Sequence, residues 1–561
     1  MTSAGPPGAG AGAPAPRLRV GLLLDGFVQP HWVERMLSQV RQGGDAEIAL
    51  VVLNDAPARR PANPLTRAWR GRGTLLYSLY SRLDDARYAK PDDAFAPRDL
   101  TALLDGVPVL HVRPRQTLFS DCFEDADVER IASHALDVVV RLGFRILRGN
   151  ALQVARHGVW SLHHGDAECN RGGPPGFWEV MEGTPVTGSM LQVLDEELDG
   201  GRVLYRSWSQ TDPRSVRCNR ENLYWKTASF IPRKLRALRE RGAAALDVGP
   251  EVAGFRPYAA RLRRAPSNAQ MLGGLARLLG RALRDRVEKL CFFEQWSLAV
   301  GFHESLPPTL HRFRELLPPR DRIWADPFPF EHDGRLYVFV EEGHRGASRA
   351  HIAVMEVEPD GRMTTPRTVL ERPYHLSYPF VFAWNGDLWM IPETLEQRTV
   401  EIYRCAGFPD RWELERVLLE GVNACDATLL EDGGRFWMFV CIAVDGSAVM
   451  DELHLYHAET PLGPWCPVRD NPVRSDVRSA RPAGRIFRWD GAWIRPAQDC
   501  SGRYGRAVRF QRIERLDLEG YAESEQGAIE PDWSRDVLGT HTWNACGDLA
   551  VIDLIKRRRR F

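Results

Sequence analysis

The stretch "DPFPFEHDGRLYVFVEE", residues 326–342, indicates the fold of the C-terminal half of the chain. A polar residue enters an apolar strand, an Asp-Gly turn follows, and an aromatic-rich strand leads away from the turn. The same plan recurs as "YPFVFAWNGDLWMIPET" from residue 378 and "DATLLEDGGRFWMFVCI" from residue 426. Looser copies are "RPAGRIFRWDGAWIRPAQD" from residue 481 and "HTWNACGDLAVIDL" from residue 541.

These five copies start 52, 48, 55 and 60 residues apart. Units of about 50 residues, each a meander of short strands, are typical of the blades of a β-propeller. We therefore predict an all-β, five-bladed propeller over residues 321–561. A β-sandwich with internal duplication is the alternative.

The first half of the chain has a different pattern. "RLRVGLLLDG" (17–26) is a short apolar run, "PHWVERMLSQVRQ" (30–42) has helical spacing, and "AEIALVVLND" (46–55) is a second apolar run. Strand–helix–strand alternation predicts a parallel sheet covered by helices, here an α/β domain over residues 17–245. We expect an irregular insertion at residues 56–96, and the Gly/Ala/Pro-rich residues 1–16 are expected to form a disordered tail.

Residues 246–320 are predicted to be a helical linker between the two domains. Six apolar residues in it follow helical spacing: Leu272, Leu275, Leu279, Leu283, Val287 and Leu290. The favoured interpretation is that this stripe packs on a domain. The alternative is that the helix lies on an anionic membrane surface, which would be a weak contact. The terminal "KRRRR" is expected to be a solvated tail, although it could also touch such a surface.

Overall composition restricts the function. Lys+Arg and Asp+Glu both number 74, which argues against nucleic acid as the partner. The ten cysteines form no CxxC pair, so no metal site is predicted and the thiols are expected to be free. No apolar run is long enough to span a membrane and the N-terminus is not that of a signal peptide, so the expected location is the cytoplasm. The sequence leaves the oligomeric state open.

A polar segment follows one predicted strand of the α/β domain. In "VWSLHHGDAECNRGGPP", residues 159–175, Ser161, His163 and His164 fall at the carboxyl end of a strand, where open α/β sheets place their sites. Farther along, "TGSMLQVLDEELDGG", residues 187–201, brings Asp199 to a glycine turn. A histidine and a carboxylate so placed predict an acid–base pair, whereas a solvated turn and a structural histidine are the alternative.

The two segments together resemble the core of the folate-dependent formyltransferases. That family has a strand-end Asn-x-His, then Arg-Gly and a proline, and later Thr-Gly, a strand and Leu-Asp-x-Gly. The resemblance implies an α/β Rossmann-like formyltransferase domain and 10-formyltetrahydrofolate as formyl donor. It places the following residues at family positions, in chain order: Ser161 for the asparagine, His163, Arg171, Gly172, Thr187, Gly188 and the catalytic Asp199.

The chemistry of formyl transfer fits these residue types. When an amine attacks the formyl carbon, negative charge develops on the formyl oxygen, and a histidine aimed at that oxygen stabilises it. A nearby carboxylate can hold the histidine protonated and collect the proton of the amine. The chain departs from the family at Ser161, which is shorter than asparagine, and at Gly165–Glu168, which replaces Leu-Leu-Pro. We expect His164, Asp166 and Glu168 to face an unusual acceptor.

In the propeller, the residues that start the innermost strands should meet at a central channel. The predicted site comprises Asp326, Glu342 (with its neighbour Glu341), Tyr378, Glu393, Asp426, Arg481 and His541. "WADPFPF" resembles the Ala-Asp-Pro of five-bladed glycoside hydrolases. "RPAGRIFRWDGAWIRPAQDCSGRYGRAVRF" with "GTHTWN" resembles the propeller of plant glucosamine inositolphosphorylceramide transferases. The tyrosine and arginine favour binding of an acidic or phosphorylated sugar over hydrolysis, which needs two carboxylates in split roles.

Three hypotheses follow for function. The first is an N-formyltransferase, or related acyl transferase, that acts on an amino sugar or glycoconjugate precursor held by the propeller. The second is a propeller glycoside hydrolase with an inactive formyltransferase-like domain. The third is a glycan-binding protein without enzymatic activity.

Overall fold

The computed structural model describes residues 16–56, 72–197, 200–247, 261–302, 305–358 and 362–561. It contains an N-terminal α/β domain, a long helix and a C-terminal domain of five antiparallel sheets. The fold class predicted from the sequence is confirmed.

The N-terminal domain is organised around one seven-stranded sheet. The strands in chain order are β1 (Leu18–Leu24), β2 (Ala46–Asn54), β3 (Val109–Val112), β4 (Val138–Arg141), β5 (Val159–His163), β6 (Val186–Val193) and β7 (Arg202–Gln210). Their spatial order is β7-β6-β5-β4-β1-β2-β3, in which β1 to β5 are parallel to one another, β6 pairs antiparallel with β5, and β7 pairs antiparallel with β6. The parallel strands are nearly continuous runs of Val, Ile and Leu, as a sheet buried on both faces requires.

The described residues of this domain form six helices, and a seventh described helix follows them. They are α1 (His31–Gly43), α2 (Leu75–Tyr88), α3 (Asp125–Ala132), α4 (Phe177–Glu182), α5 (Val216–Thr227), α6 (Phe230–Arg241) and α7 (Asn268–Cys291). Helix α1 buries Trp32, Val33, Met36, Leu37 and Val40 in the core on one face of the sheet. The insertion expected to be irregular contains α2, and a 3-10 turn, Gly149–Gln153, precedes β5.

Four sheets of the C-terminal domain have four strands each. Blade 1 comprises Arg322–His332, Arg335–His344, Ala350–Val357 and Arg367–Leu370, and blade 2 comprises Ser377–Trp384, Asp387–Thr394, Thr399–Gly407 and Arg411–Glu420. Blade 3 comprises Asn423–Asp432, Arg435–Ala443, Leu453–Ala458 and Cys466–Pro467. Blade 4 comprises Phe487–Trp489, Ala492–Asp499, Ala507–Asp517 and Gly520–Ile529. Each is an antiparallel meander, so the 50-residue repeat corresponds to one blade.

Blade 5 joins the two ends of the propeller. Strand Phe292–Phe302 pairs along its whole length with the last strand, Leu549–Arg559, and Arg314–Leu316, Val537–Gly539 and Trp543–Cys546 complete the sheet. The propeller therefore begins at Phe292 and not at residue 321, because the strand that closes the ring lies inside the predicted linker. The terminal basic run is part of this closing strand and is not a solvated tail.

Blades 1 to 3 share a bulge at the start of their innermost strands. The pairing register shifts between Ala325 and Phe328 in blade 1, and it shifts at the equivalent points of blades 2 and 3. At these points Asp326, Tyr378 and Asp426 have φ values of 48°, 47° and 56°, a left-handed conformation that residues with side chains rarely adopt. The bulges thus explain why the polar residue of each repeat occupies the same place.

Ion pairs join the two domains. Lys226 Nζ of α5 lies 2.9 Å from Oδ2 of Asp451, which is in the loop between the second and third strands of blade 3, and both side chains are buried. Next to them, Arg233 of α6 donates two hydrogen bonds of 2.7 and 2.8 Å to Glu452. None of the helices in the described ranges is long and apolar enough to cross a membrane.

Candidate functional site

Buried ionisable side chains of all five blades meet near the middle of the propeller. We call them the central cluster: Asp326, Glu341, Tyr378, Glu393, Asp426, Arg481, His541 and Asp553. Six of the seven propeller residues predicted from the sequence belong to it. Glu342 does not, and Asp553 was not predicted.

Arg481 organises one half of the central cluster. Its Nε lies 2.5 Å from Asp426 Oδ2, and its Nη2 lies 3.2 Å from both Asp426 Oδ1 and Glu393 Oε2. Gln498 Nε2 donates a further hydrogen bond of 2.8 Å to Asp426. The Asp426 carboxylate is therefore compensated on both oxygens by buried donors.

His541 organises the other half. Its Nδ1 lies 2.5 Å from Asp553 Oδ2 and 3.8 Å from Asp326 Oδ1. Asp553 also accepts the backbone N–H groups of His541 and Thr542, and the Thr542 hydroxyl donates to Asp326 at 2.6 Å. Burial opposes the charged imidazole, but the Asp553 and Asp326 carboxylates together outweigh burial and raise the pKa of His541 to about 9.

The Tyr378 hydroxyl links three blades. It accepts the backbone N–H of Gly484 at 2.8 Å and lies 2.7 Å from the Thr428 hydroxyl. Gly484 has φ 133°, and a Cβ on it would lie 2.1 Å from the Trp543 carbonyl oxygen. Only glycine fits at position 484. Any other residue there would prevent the contact between the backbone N–H and the Tyr378 hydroxyl, which holds the tyrosine in place.

Glu341, and not Glu342, faces the centre of the propeller. Adjacent residues of a strand point to opposite faces. Ala325 pairs with Glu341, so the glutamate lies beside Asp326 of the bulge, whereas Glu342 lies 3.4 Å from both Trp324 Nε1 and His351 Nε2. The Glu342 assignment is corrected to Glu341, because the register of the two strands cannot be read from the sequence.

The central cluster holds more carboxyl groups than cations. Among the described residues, its carboxyl groups are those of Asp326, Glu341, Glu393, Asp426 and Asp553, and its cations are Arg481 and His541. Burial, assisted by Asp326, raises the pKa of Glu341 to about 8, and burial raises the pKa of Asp326 to about 6. Burial and the nearby Asp426 also raise the pKa of Glu393 well above its usual range. At neutral pH the site therefore combines ionised carboxylates with protonated carboxyl groups.

Two groups in this cluster have the spacing of metal ligands. The donor atoms of Asp326, His541 and Asp553 lie within 4.8 Å of one another, as do those of Glu393, Cys425 and Asp426. The first group contains the His541 imidazolium, and the second is in contact with the Arg481 guanidinium. A metal ion would have to displace that charge, so these residues fit an organic ligand better.

Two aromatic rings adjoin the cluster, and a separate cavity is lined by residues that neighbour these rings in the chain. Trp296 stacks on His541 with ring centroids 4.2 Å apart, and Tyr504 lies edge-on to His541 at 5.2 Å. A cavity of about 1230 Å³ extends from Phe293, Glu294, Gly502 and Arg503 near these rings to α7 and to Pro185 of the N-terminal domain. Its lining includes eight basic and three acidic side chains. Such a space suits an anionic ligand of considerable size.

We predict that the stability of the propeller falls between pH 6 and pH 9. Glu341, with its pKa raised to about 8, keeps in the folded state a proton that the unfolded chain releases near pH 4.5, so stability decreases as pH rises through this window. His541, with its pKa raised to about 9, contributes stability that is complete below pH 6.5 and is lost as pH rises through 9. The two effects have the same sign, and the free energy of unfolding should fall by at least about 2 kcal/mol.

Urea unfolding at the two pH values measures this change. The Glu341→Gln variant removes one of the two titrating groups and should lose a smaller part of its stability over the same range. Equal stability of the wild-type protein at both pH values would contradict the prediction.

The predicted formyl-transfer residues lie where β5 ends. Ser161 and His163 are two positions apart on β5 and therefore share one face of the sheet. The Ser161 hydroxyl accepts hydrogen bonds of 3.2 and 3.0 Å from Arg141 Nε and Nη2 at the end of β4. A serine hydroxyl has one further hydrogen to donate. Asp199, their predicted partner, lies outside the described residues.

His164 points to the other face of the sheet. Its ring stacks on Tyr224 of α5 with a centroid distance of 3.7 Å, and its Nε2 lies 3.0 Å from the Thr227 hydroxyl. Burial lowers the pKa of His164 to about 3, so the ring is neutral. It is a packing residue of the core and does not face an acceptor.

Asp166 is similarly engaged inside the domain. Its carboxylate accepts hydrogen bonds of 2.8 and 2.9 Å from Arg206 Nη2 and one of 3.0 Å from Trp208 Nε1. Arg206 also forms an ion pair with Glu168. The acidic loop that replaces the family's Leu-Leu-Pro is therefore neutralised by an internal arginine and is not arranged for the ammonium group of an acceptor.

The remaining family positions support the loop. Arg171–Gly172 forms a short parallel pair with Leu262–Arg263, and a Cβ on Gly172 would lie 2.3 Å from the Arg263 carbonyl oxygen. Thr187 is buried with its hydroxyl 2.8 Å from that of Thr211. A Cβ on Gly188 would lie 2.4 Å from that of Asp166. These residues hold the loop against β6.

Comparison with known proteins gives different relatives for the two halves. Residues 319–552 match the family model described as "Glucosamine inositolphosphorylceramide transferase 1, N-terminal". The protein of that name from Oryza sativa subsp. japonica is 36% identical over 203 residues, which cover 36% of this chain and 27% of the relative. The one from Arabidopsis thaliana is 35% identical over 229 residues, which cover 39% of this chain and 29% of the relative. This chain thus spans less than a third of the length of the plant relatives.

A further match is to methionyl-tRNA formyltransferase of Myxococcus xanthus, 35% identical over 104 residues, 18% of this chain and 31% of the relative. Among solved structures, glycinamide ribonucleotide transformylase 1 from Symbiobacterium toebii aligns with 18% identity and a TM-score of 0.26 over 40% of this chain and 88% of that one. Cellvibrio cellulosa alpha-L-arabinanase aligns with 15% identity and a TM-score of 0.28 over 36% and 77%. The chain thus joins a formyltransferase-like N-terminal region to a propeller similar to the N-terminal domain of glucosamine inositolphosphorylceramide transferases.

Proposed function

We propose that this protein is an N-formyltransferase, or a closely related one-carbon acyl transferase, whose acceptor is the amino sugar of a glycoconjugate held by the propeller. The observation that carries the proposal is the excess of carboxyl groups in the central cluster, five against two cations. An amino sugar supplies the missing positive charge as an ammonium group, and its hydroxyl groups match the carboxyl and tyrosine partners. The half-buried rings of Trp296 and Tyr504 offer apolar faces for the sugar ring.

The cavity between the propeller and α7 supports a phosphorylated glycoconjugate. Its eight basic and three acidic side chains leave a net positive lining. Arg214, Arg284 and Arg345 belong to this lining, and arginine binds phosphate oxygens in bidentate geometry. The plant relatives of the propeller are named for an inositolphosphorylceramide, which contains such a phosphate.

The formyl donor would be 10-formyltetrahydrofolate, bound at the carboxyl end of β4 and β5. There the acceptor ammonium group would first lose one proton to water. The neutral amine then forms a C–N bond to the formyl carbon while the bond to the donor nitrogen breaks, and a second proton passes from the amine to that nitrogen. His163 would donate to the oxygen on which charge develops. Ser161, held by Arg141, takes the place of the family's asparagine and supplies a second donor.

The test is a formyl-transfer assay with radiolabelled 10-formyltetrahydrofolate and glucosamine-containing inositol phosphate glycans. We expect His163→Ala to lower the rate at least about 100-fold, since general acid–base and oxyanion groups contribute that much or more. His164→Ala is the matched control for the adjacent ring, and its rate should follow the fraction of protein that stays folded.

The outcomes separate the hypotheses. Formyl transfer that persists in His163→Ala contradicts the assignment of the donor site. Cleavage of the glycan without formyl transfer, abolished by Asp426→Asn and retained in His163→Ala, would establish the glycoside hydrolase instead. Glycan binding with neither reaction would leave a binding protein.

A further inference from the structure

Helix α7 exposes its apolar stripe. Leu272, Leu279, Leu283, Val287 and Leu290 are 59%, 67%, 64%, 50% and 64% exposed. At 100° per residue these five side chains fall within one narrow sector of the helix. The sequence favoured a stripe packed on a domain, and the structure shows the opposite orientation.

The side of α7 that packs on the protein carries arginines. Met271 and Gly274 are buried, the latter beside Met181 of α4. Arg277 Nε donates to the Met181 carbonyl oxygen at 3.1 Å, and Arg281 Nη2 donates to the Val180 carbonyl oxygen at 2.6 Å. These carbonyls lie near the carboxyl end of α4, where the helix dipole favours cations. The arginines thus fix the helix with its leucines outward.

Helix α2 continues the exposed apolar surface. Its residues Leu75, Leu79 and Leu83 are 57%, 54% and 61% exposed. The start of α2 is joined to the start of α7, because Asn268 Oδ1 accepts the Leu76 N–H at 3.1 Å. We call the eight exposed side chains of the two helices the leucine face. Eight exposed apolar side chains on two neighbouring helices are uncommon on a protein that has no partner for them.

Basic residues border the leucine face. Arg284, Arg286 and Lys289 are exposed on α7 itself. The end of the chain lies against the end of this helix, where the Arg560 backbone N–H donates to the Cys291 carbonyl oxygen at 2.9 Å and its Nε donates to the Lys289 carbonyl oxygen at 2.8 Å. Phe561, which follows, is fully exposed. Leucine, arginine and an exposed aromatic residue therefore occur together at one edge of the molecule.

We propose that the leucine face docks the protein onto a membrane surface rich in anionic lipids. Leucine side chains in the interfacial plane gain from transfer out of water, and the neighbouring arginines gain from the negative surface potential. The positive charge around the leucine face favours an anionic membrane over a second copy of the chain, because the arginines of two copies would repel one another. This inference does not rest on the proposed catalytic function.

Sedimentation of the full-length protein with lipid vesicles tests the proposal. The vesicles contain phosphatidylcholine alone or phosphatidylcholine with phosphatidylglycerol. We expect binding to the anionic vesicles that weakens as salt is added. The double variant Leu279→Glu/Leu283→Glu should bind them at least about tenfold more weakly, since burying even one leucine is worth that factor.

The matched control is Leu414→Glu/Val417→Glu on the outer strand of blade 2, which introduces the same charges at exposed apolar positions far from α7 in sequence. It should bind vesicles as the wild-type protein does. Vesicle binding that is absent in the wild-type protein, or unchanged in the α7 variant, overturns the proposal. Light scattering that shows a dimer which the α7 variant abolishes, without vesicle binding, would assign the face to a second copy.

Discussion

Replacement of Arg481 by methionine should lower the free energy of unfolding of the propeller by about 3–5 kcal/mol, the usual cost of removing one partner of a buried ion pair. The guanidinium is the only cation among the described residues within 4 Å of the Asp426 and Glu393 carboxyl groups. Without it, Asp426 keeps Gln498 as a neutral donor and must remain charged in a buried site or take up a proton. Methionine has a comparable length, so the loss reflects charge more than packing.

Urea unfolding of the variant measures this effect, and a second substitution identifies its cause. In Arg481→Met/Asp426→Asn the buried charge is removed with its partner, so part of the lost stability should return. If the single variant were as stable as the wild-type protein, Arg481 would not be compensating the carboxyl groups. If the double variant were less stable than the single one, steric fit and not charge would explain the loss.

Replacement of Lys226 by methionine should destabilise the contact between the two domains by about 3 kcal/mol or more. Lys226 Nζ lies 2.9 Å from Asp451 Oδ2, and neither side chain reaches solvent. Burial already raises the pKa of Asp451, and the ammonium group opposes that shift. Without the lysine, Asp451 loses the charge that offsets its burial. Calorimetry should then show two unfolding transitions where the wild-type protein shows one.

An exposed ion pair across the same domain contact provides the control. Arg241 of α6 lies 2.9 Å from Asp470, with the two side chains 31% and 40% exposed. Because solvent screens such a pair, Arg241→Met should cost less than about 1 kcal/mol. Equal losses for Lys226→Met and Arg241→Met would mean that burial does not decide the strength of these contacts.

Periodicity accounts for most of what the sequence predicts about the fold. The repeat starting at Asp326 combines a turn signal with two apolar strands, which is local information, and it locates four blades. The fifth blade needs Phe292–Phe302, which lacks the repeat and pairs with residues more than 240 positions away. No local pattern reports such a pairing, so the domain boundary was placed too late.

The central cluster is predictable in composition but not in register. The bulge at Asp326 changes which residue of the facing strand points inward, and for that reason Glu342 was chosen where Glu341 is correct. Asp553 sits inside the apolar run "LAVIDLI", where a lone carboxylate gives no signal until the closing strand places it beside His541. For helix α7 the sequence predicts the apolar stripe but not its orientation. The side that faces inward is decided by the α4 carbonyl groups, which accept hydrogen bonds from the arginines of α7.

The left-handed backbone at Asp326, Tyr378 and Asp426 has a consequence for the stability of the propeller. Each such residue costs about 1–2 kcal/mol that glycine would avoid, and yet the chain carries a side chain at all three bulges. Glycine would relieve this strain, but it would also remove the Tyr378 hydroxyl that links three blades and the Asp426 carboxylate that pairs with Arg481. The strained backbone is therefore retained for the sake of side chains that hold neighbouring blades together, and glycine at any of the three positions should lower the stability of the propeller.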